Sequence, residues 1–143
     1  MLKKTLLSLF AVLLTSGLLF AQKDITGVWK TIDDETGKPK SHVQIYKTKS
    51  GKYAGKVVKI LDPSRQDAVC DKCSDWRKDK PVMGMVIVLN MEKDGDEYTG
   101  GEILDPKKGK VYRCKMWLED ENTLKVRGYL GPFYRTQTWY RVE

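Results

Sequence analysis

Two stretches and the turn between them decide the fold class: Lys110-Val111-Tyr112-Arg113-Cys114-Lys115-Met116-Trp117-Leu118-Glu119, then Asp120-Glu121-Asn122, then Thr123-Leu124-Lys125-Val126-Arg127-Gly128-Tyr129. In the first, Tyr112, Cys114, Met116 and Leu118 recur at every second position. In the second, Leu124 and Val126 alternate with Thr123, Lys125 and Arg127. Period-two alternation puts the two sets on opposite faces of a strand, whereas a helix gathers apolar residues at spacings of three and four. A short polar turn between two such runs joins antiparallel neighbours, because a parallel pair needs a long crossover.

The same alternation continues in both directions. Strands are predicted at 27–33, 42–48, 53–61, 83–91, 98–104, 110–119, 123–129 and 135–142. The links carry turn chemistry: Asp34-Glu35-Thr36-Gly37-Lys38-Pro39, Lys49-Ser50-Gly51-Lys52, Asp94-Gly95-Asp96 and Asp105-Pro106-Lys107-Lys108-Gly109. A longer excursion spans 62–82, with at most one turn of helix between Pro63 and Asp79. Eight consecutive strands with short connections define an all-β fold, an eight-stranded antiparallel up-and-down barrel, with a sandwich as the other arrangement. Closure removes exposed edges, and a barrel of this size is filled by side chains or holds one small ligand. An internal echo, Ile60-Leu61-Asp62-Pro63 and Ile103-Leu104-Asp105-Pro106, is one strand-and-turn solution used twice.

Lys3 and Lys4 precede an apolar, uncharged run from Leu6 to Phe20 that ends at Ala21. This is the pattern of a secretory signal peptide and is too short to cross a bilayer as a helix; the alternative is an uncleaved anchor. Residues 1–21 are therefore expected to be a leader and 22–143 a single domain, exported to the periplasm or beyond the cell. The chain carries 26 basic and 19 acidic residues, net +7, which falls to +5 without Lys3 and Lys4. The charges are interleaved and cluster at turns, as lysines do when they keep sheets soluble. Nucleic-acid binding, which needs basic residues gathered on one face, is not expected. Membrane contact is expected only at the envelope surface, if at all.

Gly27-x-Trp29, Thr31-Ile32-Asp33-Asp34, Thr36-Gly37-Lys38-Pro39, Gly55-Lys56-Val57-Val58, Cys70-x-x-Cys73, Pro81, Gly84, Gly101-x-Ile103-x-Asp105-Pro106, Gly109-Lys110-x-Tyr112, Arg127-Gly128-Tyr129-x-Gly131 and Arg135-Thr136-Gln137-Thr138-Trp139 follow one another in order. Together they resemble the bacterial domain-of-unknown-function family 2147 over nearly the whole of 22–143. The resemblance implies a secreted or periplasmic lipocalin-like barrel and no particular activity. Pro132-Phe133-Tyr134 makes a shorter link than the family's usual one. Lipocalins also open with a Gly-x-Trp strand whose tryptophan is covered by an arginine of the last strand. By that likeness Trp29 is expected under Arg141, with Arg135 as second choice, as a structural latch. An arginine over an indole stabilises by roughly 0.5–2 kcal/mol.

Cys70-Asp71-Lys72-Cys73 has three readings. A disulfide closing a tight loop suits an exported chain and is the reading adopted. A redox pair needs an electropositive setting, and a zinc site needs further ligands such as Cys114 and His42. Cys114 reads as a buried thiol acting as a small hydrophobe; a bond from it to a loop cysteine is the minor alternative. His42, the only histidine, reads as an exposed strand residue. Asp33, Asp34 and Glu35, like Glu119, Asp120 and Glu121, fall at turns, where no burial or fixed partner perturbs a carboxyl. No catalytic constellation, metal site or cofactor is expected. The ligand-binding candidates lie in the C-terminal third: Arg127 and Tyr129 share one strand face, and Arg135, Gln137 and Trp139 share another. An Arg beside hydroxyl groups grips carboxylate or phosphate through its fork. Against this, Thr123 and Lys125 lie on the Arg127 face, which points to solvent unless Gly128 marks a bulge that re-aims Tyr129.

Three functions fit. The one adopted is an exported barrel binding a small, amphipathic, anionic molecule. The alternatives are a non-catalytic envelope module with a filled barrel, and a thiol-redox or metal-handling protein centred on Cys70 and Cys73. The sequence sets no oligomeric state.

Overall fold

Eight strands close into one antiparallel barrel in the order β1-β2-β3-β4-β5-β6-β7-β8. The computed structural model describes residues 24–143, so the expected leader, 1–21, lies outside the described residues. The strands are β1 (Gly27–Ile32), β2 (Pro39–Lys47), β3 (Tyr53–Ile60), β4 (Val86–Asp94), β5 (Glu97–Asp105), β6 (Lys110–Asp120), β7 (Thr123–Leu130) and β8 (Phe133–Arg141). One 3-10 turn, Pro63–Arg65, is capped by the Asp62 side chain.

Three strand starts differ from the sequence expectation by more than one residue. β2 starts at Pro39, paired opposite Ile32; proline is tolerated at the first residue of a strand, where its missing N–H removes little. β4 starts at Val86 because Pro81–Met85 belong to the loop: Gly84 N donates to Val57 O at 2.8 Å and Val57 N to Met85 O at 2.9 Å, and Gly84 takes φ +81°. β8 starts at Phe133, so the Phe133-Tyr134 part of the expected link is itself strand, paired with Leu130 and Tyr129.

Alternation sets the core. Trp29, Val43, Ile45, Val57, Met116, Leu124, Val126 and Trp139 face inward and are buried. Gly101 of β5 crosses close to β4, where any Cβ would collide with the Leu89 carbonyl; Asn90 at φ +59° kinks β4 at that crossing. His42 lies on the outer face of β2, registered between Lys30 and Lys59. Partial burial and these two cations lower its pKa. Cys114 is a buried free thiol, and the loop cysteines bond to each other.

The seam between the first and last strands is short: Trp29 pairs with Arg141 and Lys30 with Tyr140. Backbone bonds from Val28 N to Glu143 O (2.8 Å) and from Val142 N to Val28 O (2.7 Å) extend it. Over it the Arg141 guanidinium sits 4.3 Å from the Trp29 ring centroid. Its three nitrogens donate to the carbonyls of Glu121 (2.8 Å), Thr26 (2.8 Å) and Asp24 (3.1 Å). Trp29 Nε1 in turn donates to Ile25 O at 2.9 Å. One side chain thereby ties β1, β8, the β6–β7 turn and residues 24–26 together.

Two predictions follow from this packing. Arg141→Ala should lower the unfolding free energy by about 2–4 kcal/mol, from the lost cation–π contact and three charge-assisted bonds. Arg141→Lys should fall between, because an ammonium lacks the fork; urea denaturation checks the order. Burial pushes the Cys114 thiol and, separately, the Tyr98 hydroxyl up to about 12. The unfolded thiol titrates near ~8.5, so this contribution is complete below that pH and fades as pH rises toward 12. Urea midpoints should therefore decline above about pH 9, less steeply in Cys114→Ala, and native Cys114 should resist alkylation at neutral pH.

Candidate functional site

Up-and-down topology sends alternate connections to opposite ends of the barrel. The connections after β2, β4 and β6 gather with residues 24–26 and the C-terminus at one end; those after β1, β3, β5 and β7 gather at the other. The first end is closed. Below Trp29 and Arg141, Tyr53 and Tyr98 meet edge to face at 5.0 Å, and Ile25, Met91, Met116 and Leu124 fill the interior. The second end opens into a cavity of about 970 Å³. Its deepest lining residues are Thr31, Val57, Val126 and Trp139, and Ile87, Ile103 and Tyr112 form its upper walls. Going inward along each strand, Trp29, Val43 and Leu124 no longer line it. The barrel is thus plugged in one half and hollow in the other.

A polar strip climbs one wall. Because β8 alternates, Arg135, Gln137 and Trp139 all face the cavity. Trp139 Nε1 donates to Gln137 Oε1 at 3.1 Å, and Gln137 Nε2 donates to Asp34 Oδ2 at 2.7 Å. Arg135 Nη1 lies 3.6 Å from that same carboxylate oxygen. The indole donor below and the carboxylate above fix the amide orientation of Gln137. A second polar pair, Thr31 and Ser41, shares a hydroxyl hydrogen bond of 2.7 Å.

The rim carries Lys38, Lys40, Arg65, Lys107, Lys108 and Arg135. Apart from Asp34, its aspartates are turned into the turns they cap. Asp33 accepts from the backbone N–H of Glu35 and Thr36 (2.8 and 2.9 Å), Asp62 from Ser64 N and Oγ (2.9 and 2.7 Å), and Asp105 from Lys107 and Lys108 N (3.0 and 3.3 Å). The Thr36 amide holds the Asp33 carboxyl below its usual range, and the Ser64 hydroxyl does the same for Asp62. These carboxylates stay ionised but are held by their own turns; of the rim cations, Lys107 lies 3.9 Å from Glu35 and Arg135 3.6 Å from Asp34, whereas Lys38, Lys40, Arg65 and Lys108 have no described carboxylate within ion-pair distance. The two Asp-Pro turns of the internal echo both end here.

The β3–β4 loop walls the mouth, with Ala68 and Val82 against the cavity. It is a folded structure. The Cys70–Cys73 disulfide, with Cα atoms 5.4 Å apart, closes its tip. Cys70 N donates to Lys80 O and Val82 N to Ala68 O, both at 2.9 Å. Arg77, 1% exposed, reaches through the loop base. Its Nη1 donates to Val86 O at 2.9 Å and its Nη2 to Asp75 Oδ2 at 2.7 Å, and this contact keeps the Asp75 carboxyl below its usual range. Gly109, at φ +66° in the β5–β6 turn, meets the disulfide turn so closely that a Cβ would strike the Lys72 carbonyl.

Of the expected ligand-binding residues, Arg135, Gln137 and Trp139 line the cavity, and Arg127 and Tyr129 do not. The register of β7 with β8 runs unbroken from Thr123 to Leu130, so no bulge re-aims Tyr129. Leu124, Val126 and Gly128 take the inner face. Outside, the Arg127 guanidinium lies 4.4 Å from the Tyr134 ring centroid and 4.9 Å from that of Trp117, and its Nε donates to Thr136 Oγ1 at 2.8 Å. Sequence reasoning missed the rim lysines as a group, Asp34 as the partner of Gln137, and Arg77. Among the described residues no group of three or more His, Cys, Asp or Glu side chains is placed to hold a metal ion.

An up-and-down antiparallel barrel with one plugged end and a cavity at the other defines a lipocalin-like protein. The model of the family DUF2147, described as an uncharacterized protein conserved in bacteria, matches residues 27–141, and the chain belongs to that family. Among solved structures it is similar to protein HP1028 from Helicobacter pylori, described as belonging to the lipocalin family. The two share 19% identity over 84% of each chain, with a TM-score of 0.72. No curated protein matches the chain.

The loop geometry carries a prediction. Replacing Cys70 and Cys73 together by Ala should lower stability by about 2 kcal/mol, the chain-entropy value for so short a closure. It should open sites within 62–85 to limited proteolysis, mapped by mass spectrometry, while the far-ultraviolet signal of the barrel persists.

Proposed function

We propose that the protein is an exported binder of a small amphipathic molecule, taking its apolar body into the cavity and its anionic head at the mouth. The observation that carries this reading is the half-hollow barrel itself: a space of about 970 Å³, apolar below and ringed by cations above. That volume lies at the upper end of the range for small-molecule sites. Burial of an alkyl chain there is favourable by ~0.8 kcal/mol per methylene. Arg135 supplies a fork for a carboxylate or phosphate in the same space, and Lys40 also lines the cavity. The exported setting, periplasmic or extracellular, is supported by the leader pattern of residues 1–21 and by the Cys70–Cys73 bond, since disulfides persist where thiols oxidise.

Dodecanoate and dodecanol separate the two halves of the proposal in calorimetric titrations. Dodecanoate should bind, and Val126→Trp, which fills the cavity floor, should abolish binding of both. Arg135→Ala should weaken dodecanoate about tenfold, the worth of one charge-assisted bond, and leave dodecanol nearly unchanged. Unaltered binding in Val126→Trp would place the ligand elsewhere and overturn the reading.

A further inference from the structure

We propose that the cavity mouth is also a docking face for an anionic lipid surface. Two independent features meet there. The first is apolar: at the β7–β8 tip, Leu130, Phe133 and Tyr134 flank Gly131-Pro132 and are 55%, 76% and 62% exposed. Phe133 is the most exposed large hydrophobic residue described. In the β3–β4 loop bordering the same opening, Val69 and Met83 are each 42% exposed. Isolated surface hydrophobics need no explanation, whereas a cluster at one end of a molecule does.

The second feature is charge. Lys38, Lys40, Arg65 and Lys108 surround the opening with no described carboxylate within ion-pair distance. The opposite end has an acidic excess: its connections carry Asp94, Asp96 and Glu97, then Glu119, Asp120 and Glu121, with Asp24 and Glu143 beside them, against Lys47, Lys49, Lys52 and Lys93. A molecule charged this way turns its mouth toward a negative surface before contact. Each basic side chain held near an anionic bilayer multiplies partitioning roughly fivefold. An exposed Phe at the leading tip then inserts at the headgroup boundary, the pairing of apolar and basic groups by which proteins rest on bilayers. A protein partner would need a defined complementary surface, whereas a bilayer accepts a loose arc of lysines around a protruding ring.

Docked this way, the opening faces the lipid, and an amphipathic molecule passes between bilayer and cavity without crossing water. The docking itself needs no cavity ligand, so it is measured separately from the proposed function. The protein lacking residues 1–21, whose barrel is complete within 24–143, is sedimented with vesicles. These are either phosphatidylcholine alone or phosphatidylcholine and phosphatidylglycerol in equal parts. The protein should sediment with the mixed vesicles only, and less so in high salt. Phe133→Ser, and separately Lys107→Glu with Lys108→Glu, should each weaken binding about tenfold or more. Lys49→Glu with Lys52→Glu, the same charge change at the closed end, should leave it within about twofold. Circular dichroism confirms that each variant is folded. Absence of binding to the mixed vesicles, full binding by Phe133→Ser, or equal loss in the closed-end pair would each overturn the proposal.

Discussion

Every strand of a barrel must satisfy both of its edges, and here the last edge to be satisfied has the least backbone with which to do it. The β7–β8 ladder pairs eight positions, whereas the β1–β8 seam pairs two. A side chain makes up the difference. Arg141 lies across the Trp29 indole and donates to three carbonyls from two separate segments, the β6–β7 turn and residues 24–26. Arginine suits this place because its planar fork stacks on a ring and points donors outward in the same plane. The rest of the architecture depends on that closure. With the seam open, β1 and β8 would become edge strands, and Trp29 and Trp139, both buried in the interior, would be exposed together.

Closure explains why one half of the barrel is full. Trp29 is anchored by its hydrogen bond to Ile25 O, and the chain before β1 folds under the barrel to supply that carbonyl. The large side chains of Met91, Met116, Leu124 and the Tyr53–Tyr98 pair complete the plug. Toward the other end the inward positions become smaller or more polar: Thr31 follows Trp29 on β1, Gly128 follows Val126 on β7, and Gln137 follows Trp139 on β8. Interiors are otherwise close-packed. A consistent taper from large to small along several strands is therefore a built space, and no described buried polar side-chain atom in its walls lacks a partner.

The strands were legible because period two is a local signal, and each turn is a short cluster of Asp, Gly, Pro and Asn. The closure was legible only through the resemblance that placed Gly27-x-Trp29 against the last strand. The errors fall where distant segments decide the outcome. Met83–Met85 reads as the start of a strand until β3 captures it through Val57. Arg77 stands in Asp75-Trp76-Arg77-Lys78-Asp79, a run that reads as solvated, and its burial follows from Val86 O lying in reach of the loop base. Arg127 and Tyr129 share a face from their spacing, but that face lies outside the barrel, and ladders regular from Leu124 to Tyr129 on both sides set its direction. Arg135, Gln137 and Trp139 were visible as one face from their spacing. Their connection to Asp34 spans 103 residues of sequence and leaves no trace in either local pattern.

Topology then assigns the two ends different work. In an up-and-down barrel all odd-numbered connections meet at one end, so a single long connection among them changes that end alone. Here the long one follows β3, and its disulfide, its Arg77 core and its seat on Gly109 make it a rigid wall. Asp33, Asp62 and Asp105 at the same end are each occupied by backbone or hydroxyl donors of their own turns. Turn formation thus occupies the acceptor atoms of these carboxylates, and Lys38, Lys40, Arg65 and Lys108 beside them have no described carboxylate within ion-pair distance. The basic rim is set by the lysines and arginines that the sequence places beside these Asp-initiated turns, at the one end where a cavity gives them something to act on. The closed end shows the contrast: the β6–β7 turn also begins with an aspartate that accepts a backbone N–H, Asp120 to Asn122 at 2.9 Å, but its flanks are Glu119 and Glu121. The same turn chemistry at the two ends therefore yields opposite electrostatic surfaces, according to which charges the sequence sets beside it.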